Sequence, residues 1–171
     1  NKPFSYNVKF ILSDNRSFIT RFDNPTGNLD DWYEGCEIGE IWGLVTEGFF
    51  KDQADIDNHA DQWDVTSYPG DRPIEPGDLK YKDLDNNGKI NNGSWTVNDP
   101  GDYKVIGNNA SRYNYGADFT AEWNGLDFRV LLQGVGKKDW YPESHYFFGI
   151  YRAPWGNVLE NNLDHRTPEN T

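Results

Sequence analysis

Asp83, Asp85 and Asn87 set an oxygen-bearing side chain at every second position, and Gly88 follows at once. Alternating oxygen ligands ahead of a glycine that permits a sharp turn are what a hard cation needs to be wrapped by a short loop. On the calcium-loop pattern Asp83, Asp85 and Asn87 take the first, third and fifth places, the carbonyl of Lys89 the seventh and Asn91 the ninth. The last place falls on Ser94 instead of a bidentate Glu, so a fuller shell needs Asp99 or Asp102 to fold back. The expectation is a structural Ca2+ loop over residues 83–94 with Asp83, Asp85, Asn87, Lys89 and Asn91 as ligands. Without a cation the same residues make an Asx-rich turn. No helix pair flanks them, which speaks against a complete EF-hand.

Catalysis finds little support, and no catalytic residue is assigned. Acidic residues are numerous, yet nothing in the sequence sets two of them across a glycosidic bond. His59, His145 and His165 lie far apart with no metal-ligand spacing. Nucleophile elbows and phosphate-binding glycine loops are lacking, and the expectation is a protein that is not an enzyme. Cys36 stands alone, so no internal disulfide forms. The formal net charge of -12 opposes nucleic acid and suits cations or neutral polar ligands.

The elements that must hold the loop are strands. In Phe4 to Ser13 the even positions are Phe4, Tyr6, Val8, Phe10 and Leu12, against Ser5, Asn7, Lys9, Ile11 and Ser13. From Tyr113 to Asn124 the apolar set is Tyr113, Tyr115, Ala117, Phe119, Ala121 and Trp123. Asn124-Gly125 tolerates the left-handed backbone of a tight hairpin, and alternation resumes with Leu126, Phe128, Val130 and Leu132. Such patterns fit a soluble sheet with one wet face as well as a membrane wall with a polar lumen. The separation of the first strand from the hairpin favours the wall, because about 100 intervening residues far exceed an ordinary loop. Outer-membrane barrels join strands by short turns on one side and long loops on the other.

Within that excursion, Phe18 to Phe22 is expected to continue the first strand and Glu40 to Thr46 to form another. Asp52-Gln-Ala-Asp55 reads as a helix start, with Asp52 as N-cap of a short helix running to about Ala60. Pro69, Pro73, Pro76 and Pro100 punctuate the rest. No apolar run approaches the roughly 20 residues of a membrane helix. Only 36% of the residues are hydrophobic, little for an ordinary packed core, and the lack of any Met points to a piece processed or excised from a longer polypeptide.

Taken in order, Gly39 to Phe50, Pro76 to Ile90, Val105-Ile-Gly-Asn108, Tyr113-Asn-Tyr-Gly116 and Leu126 to Gly134 resemble the SusC/RagA family of TonB-linked outer-membrane transporters. Lys138-Asp-Trp140 and Trp155-Gly-Asn-Val158 extend the match. Gly134 to Pro142 and Leu163 to Pro168 resemble the starch-utilisation branch of that family. The resemblance implies an all-β fold: a fragment from the later part of an antiparallel transmembrane β-barrel of about 22 strands, with long extracellular loops and a short helix. It implies import of glycan oligosaccharides, starch-derived maltooligosaccharides first among them. A SusD-like surface lipoprotein would act as lid, TonB would engage a region this chain lacks, and the strands would meet outer-membrane lipid.

On that basis residues 1–14 are a barrel strand and 15–112 a long extracellular region. Residues 113–135 are a hairpin with a periplasmic turn at 124–125, and 136–171 begin the next external loop. Trp140, Tyr141 and Trp155 are the expected sugar-stacking residues of that last loop, which Tyr146, Phe147 and Phe148 crowd further. The alternative is a soluble, secreted β-rich glycan-binding module with a calcium-stabilised loop.

Overall fold

The computed structural model describes residues 4–66, 73–142 and 160. The alternating segments are strands: β1 is Phe4–Ser13. After six intervening elements, Arg112–Trp123 and Leu126–Lys137 form the two arms of a hairpin. Between them Asn124 (φ 49) and Gly125 (φ 86) both adopt left-handed backbone. That pair of positive angles is what a two-residue hairpin turn demands, and only glycine adopts the second without strain. β1 joins the first arm of the hairpin antiparallel, giving a three-stranded sheet with the Arg112–Trp123 strand in the middle.

The register sorts side chains into two faces. Phe4, Trp123 and Leu126 share a row, followed by Tyr6, Ala121 and Phe128, then Val8, Phe119 and Val130, then Phe10, Ala117 and Leu132. Between these rows lie Asn7, Thr120 and Arg129, then Lys9, Asp118 and Leu131, on the opposite face. A period of two sends successive side chains to opposite sides, so the pattern yields one apolar and one polar face. The apolar face is bare: Tyr6 is 69% exposed, Phe10 67% and Leu126 68%. Across the other face Arg129 forks onto Asp118, at 2.9 and 2.6 Å.

Tyr113 departs from the unbroken alternation expected there. Its φ is 55, and pairing skips from Arg112 with Lys137 to Asn114 with Val135. An aromatic residue is rarely left-handed. Gly136 accommodates it, because a Cβ there would stand 3.0 Å from that of Tyr113.

The remaining elements, in chain order, are β2 (Glu40–Leu44), β3 (Thr46–Phe49), α1 (Gln53–Asp57), α2 (Trp63–Thr66), β4 (Leu79–Tyr81) and β5 (Tyr103–Asn108), so the hairpin arms are β6 and β7. β2 pairs with β5, and β3 with β4, in two further small sheets. The protein is thus mostly β, in small antiparallel sheets with two short helices, and the described residues form no closed barrel.

Two expectations are corrected. Phe18 to Phe22 does not extend β1: Phe18 makes an isolated bridge to Glu37, and Ile19 N–H donates to Cys36 O at 2.9 Å. The chain bends away where Asp14 grips Arg112 and Arg16 grips Glu37, so side chains replace the ladder just past Ser13. Glu40 to Thr46 is two strands, broken at Val45, whose carbonyl takes the Lys82 N–H at 2.8 Å.

The chain divides into two compact units. The first contains the three-stranded sheet, and Cys36 is its buried apolar residue. The second is built on Gly43–Trp95 and Asp99–Lys104, and Phe50, Ile90, Gln62 and Asp102 are buried there. Gln62 acts as a splint for β4, donating to Leu79 O at 2.8 Å and accepting from Tyr81 N at 3.2 Å. α1 begins as the sequence suggests, with Asp52 accepting from Asp55 N at 2.9 Å, but it stops at Asp57 where Asn58 caps onto Ala54 O. α2, at four residues, is too short to leave a periodic signal.

Candidate metal centre

Past β4 the chain is organised by side chains reaching to backbone. Asp83 Oδ2 accepts from Gly88 N at 2.8 Å, Asp85 Oδ1 from Asn87 N at 3.0 Å, and Asn87 Oδ1 from Lys89 N at 2.7 Å. Asn91 Oδ1 continues the series by accepting from Gly93 N at 2.7 Å. Asn86 (φ 57) and Gly88 (φ 83) supply the left-handed residues that let the loop curl. The exit is anchored by a parallel bridge between Asp61 and Lys89, and Ile90 behind it is wholly buried.

Asp102 folds back onto this loop. It is 0% exposed, accepts from Leu84 N at 2.7 Å and Asn91 N at 2.9 Å, and donates its own N–H to Asn91 O at 2.9 Å. One carboxylate oxygen each from Asp83, Asp85 and Asp102 thereby lie within 4.8 Å of one another. This partly buried cluster could hold a metal ion. Asp83 Oδ1 is buried and has no hydrogen-bond partner among the described residues. A buried carboxylate oxygen with no donor is disfavoured unless a cation or proton meets it.

The expected ligands divide. Asp83 and Asp85 are brought together, and Asp102 is the fold-back partner. Asp99 is not: it is engaged by Ser94, whose N–H and Oγ donate to Oδ2 at 2.9 and 2.6 Å. Asn87 also donates its carboxamide N–H to Asp85 Oδ2 at 2.8 Å, and Asn91 positions Asp102 through its backbone. Lys89 gives its N–H to Asn87. The sequence offered Asp99 and Asp102 as equals; the nearby hydroxyl of Ser94 was the one local cue that could have separated them.

Burial pushes the Asp83 carboxyl up, but N–H groups of Gly88, Asn86 and Asn87, with a hydrogen bond involving Asp85, together outweigh it. The net effect holds Asp83 below the usual carboxylate range, ionised and ready to bind a cation. Asp99 is also lowered, first by the Ser94 hydroxyl and then by the Ser94 N–H.

Of the expected sugar-stacking residues, Trp140 is 63% and Tyr141 57% exposed, while Trp155 lies outside the described residues. His145, Tyr146, Phe147, Phe148 and His165 lie outside them too. Tyr81 and Tyr103 have their hydroxyl pKa raised, first by burial, and then by Tyr103 and Tyr141 for Tyr81 and by Tyr141 for Tyr103. His59 is committed to Tyr81 O at 2.8 Å and packs edge-on against Phe50. No family model matches the chain, and no curated protein matches it.

Proposed function

We propose that this chain is part of a TonB-linked outer-membrane transporter of the SusC/RagA kind, with β1, β6 and β7 as consecutive strands of its barrel wall. The observation that carries this reading is the three-stranded sheet, whose continuous apolar face stands bare while the opposite face bears Lys9, Asp118 and Arg129. A sheet with lipid outside and water inside is built this way. The ten paired residues of β1 span about 33 Å at the usual rise, and a tilted strand of that length crosses an apolar band of about 25 Å. Trp123, Phe4 and Tyr6 gather at the turn end and Tyr115 at the other, as interfacial girdles do. β1 pairs with β6 across the whole intervening excursion, the up-and-down neighbour order of a barrel. Among the described residues no helix is long and apolar enough to cross a membrane, so any crossing falls to strands.

In this role the chain supplies wall and loops to a transporter of oligosaccharides, starch-derived glucans foremost, with a SusD-like lipoprotein above and TonB engaged elsewhere in the polypeptide. Trp140 and Tyr141 offer aromatic planes to sugar or lid. The aspartate cluster holds Ca2+ through Asp83, Asp85 and Asp102. Its donors are all oxygen, which selects a hard cation, and an irregular loop suits calcium better than the strict octahedron of magnesium. The ion's task is structural: it neutralises the carboxylates and ties the two ends of the loop together.

Cysteine labelling of the full polypeptide in native membranes tests the wall, in a Cys36→Ser background. Val8→Cys and Val130→Cys should react with lipid-soluble but not aqueous thiol reagents, and Asn7→Cys and Arg129→Cys the reverse. Equal aqueous labelling of both faces, or a detergent-free monodisperse monomer, would sink the barrel and favour the soluble module.

A further inference from the structure

We propose that the polar face of the β1-β6-β7 sheet carries a subsite for a neutral, hydroxyl-rich ring, in chemical terms a sugar residue, centred on Gly116. The proposal rests on the barrel reading above, in which this face lines the watery side of the wall. A depression of about 450 Å³ lies here, in the size range of small-ligand sites. It is lined by two rows of one face, Ile11 and Gln133 flanking Gly116, and Ser13 and Val135 flanking Asn114, with Tyr115 and Gly134 in the row between.

Gly116 has no structural reason to be glycine. Its backbone is not left-handed, and a Cβ would meet only Leu132 O, at an ordinary 3.7 Å. The strand glycines beside it are different: Gly134 lies under the Tyr115 ring and Gly136 against Tyr113, so a side chain at either would crowd its neighbour. A glycine inside a strand weakens it and often marks a place where a ligand approaches the backbone closely. At Gly116 the missing side chain forms the floor of the depression.

The nearby carboxylates are already engaged, and the charged side chains flank the depression without lining it. On one side Arg129 is closed onto Asp118, with Lys9 opposite. On the other Arg112 is closed onto Asp14, and Lys137 lies in the field of Glu37. Between these pairs stand only neutral groups. Ser13 and Gln133 make no side-chain hydrogen bond to another described residue, and Asn114 makes one long bond to Ser111 O, at 3.5 Å. A hydroxyl and two carboxamides offer donors and acceptors without charge, and Ile11 and Val135 add exposed aliphatic walls. An ionic ligand would meet no charged group in the lining, and an apolar one would leave the carboxamides unpaired. A ring with hydroxyls at its rim and C–H faces matches both.

The test uses the full polypeptide reconstituted in lipid vesicles, with a neutral maltooligosaccharide as probe. Gly116→Val intrudes on the floor of the depression and suits a strand, and it should weaken binding roughly tenfold or more while heat resistance is retained. Asn114→Ala and Gln133→Ala should each weaken it severalfold, and Thr120→Val, on the same face beyond the Asp118 pair, should not. Binding of Gly116→Val within about twofold of the parent overturns the subsite while leaving the barrel intact. Inserted parent protein that fails to bind the probe overturns it equally. A fall in heat resistance of Gly116→Val would show that the protein's own chain fills the space, and also overturns it. A parent protein that does not enter lipid removes the barrel itself, a failure of different kind.

Discussion

Along β1, β6 and β7 backbone faces backbone in a long ladder while the side chains stand exposed; from Asp83 to Asp102 carboxylates and carboxamides take the N–H groups, and deep burial appears. The sheet satisfies its polar groups internally and leaves its apolar surface for a neighbour to cover. The aspartate loop covers its anchors, Ile90 and Asp102, and leaves negative charge uncompensated. Each region is incomplete in the currency the other has settled: one lacks an apolar partner, the other a cation. On the proposed reading an apolar medium answers the first need and Ca2+ the second.

The comparison breaks first, and with the largest expected effect, at the centre of the apolar face. Val130→Arg should cost about 2–4 kcal/mol in lipid, the range for a cation at the middle of a barrel wall, whereas Asn7→Arg on the opposite face should cost less than about 1. Urea unfolding of the vesicle-embedded polypeptide measures both. Equal costs would mean that the two faces meet the same medium.

Asp102→Ala tests the loop's own frame, since it orphans the N–H groups of Leu84 and Asn91. A loss of about 2–3 kcal/mol in local stability is expected, read by amide exchange across 83–102. The ion contributes less than this frame. Millimolar calcium should slow proteolysis across Lys82 to Asp102 by roughly tenfold, and Asp83→Ala with Asp85→Ala should abolish that protection. An identical digestion pattern in chelator and in calcium would remove the ion from the account. The protection should also fade with acid. Asp83 titrates lower folded than unfolded, so its stabilising effect is complete above the ordinary carboxylate range and is lost as pH falls through that range and below it. The smallest change is at the hairpin, where Gly125→Ala strains a residue at φ 86 and should cost about 1 kcal/mol.

What the sequence disclosed depended on how local the cause was. β1, the hairpin and its Asn124-Gly125 turn were readable because alternation and left-handed preference are written in neighbouring residues. So was the N-cap at Asp52, a contact spanning three residues. The bridge from Phe18 to Glu37 was not, because it depends on where Arg16 and Arg112 find carboxylates distant in the chain. The left-handed turn of Tyr113 was not readable either, since what accommodates it lies on β7, at Gly136. Two of the three members of the candidate metal centre showed in the spacing of Asp83 and Asp85. Its third member did not, since choosing Asp102 over Asp99 required knowing that Ser94 would take the latter.

The outer edges of the three-stranded sheet have a consequence for assembly. β1 and β7 each pair on one side only among the described residues, so each presents a row of unmatched N–H and C=O groups beside a bare apolar face. Such an edge recruits whatever strand arrives first, including another copy. The order in which strands reach one another is therefore a hazard in its own right. In the proposed barrel this segment needs an escort until its flanking strands arrive, and made alone it should stack into ribbons.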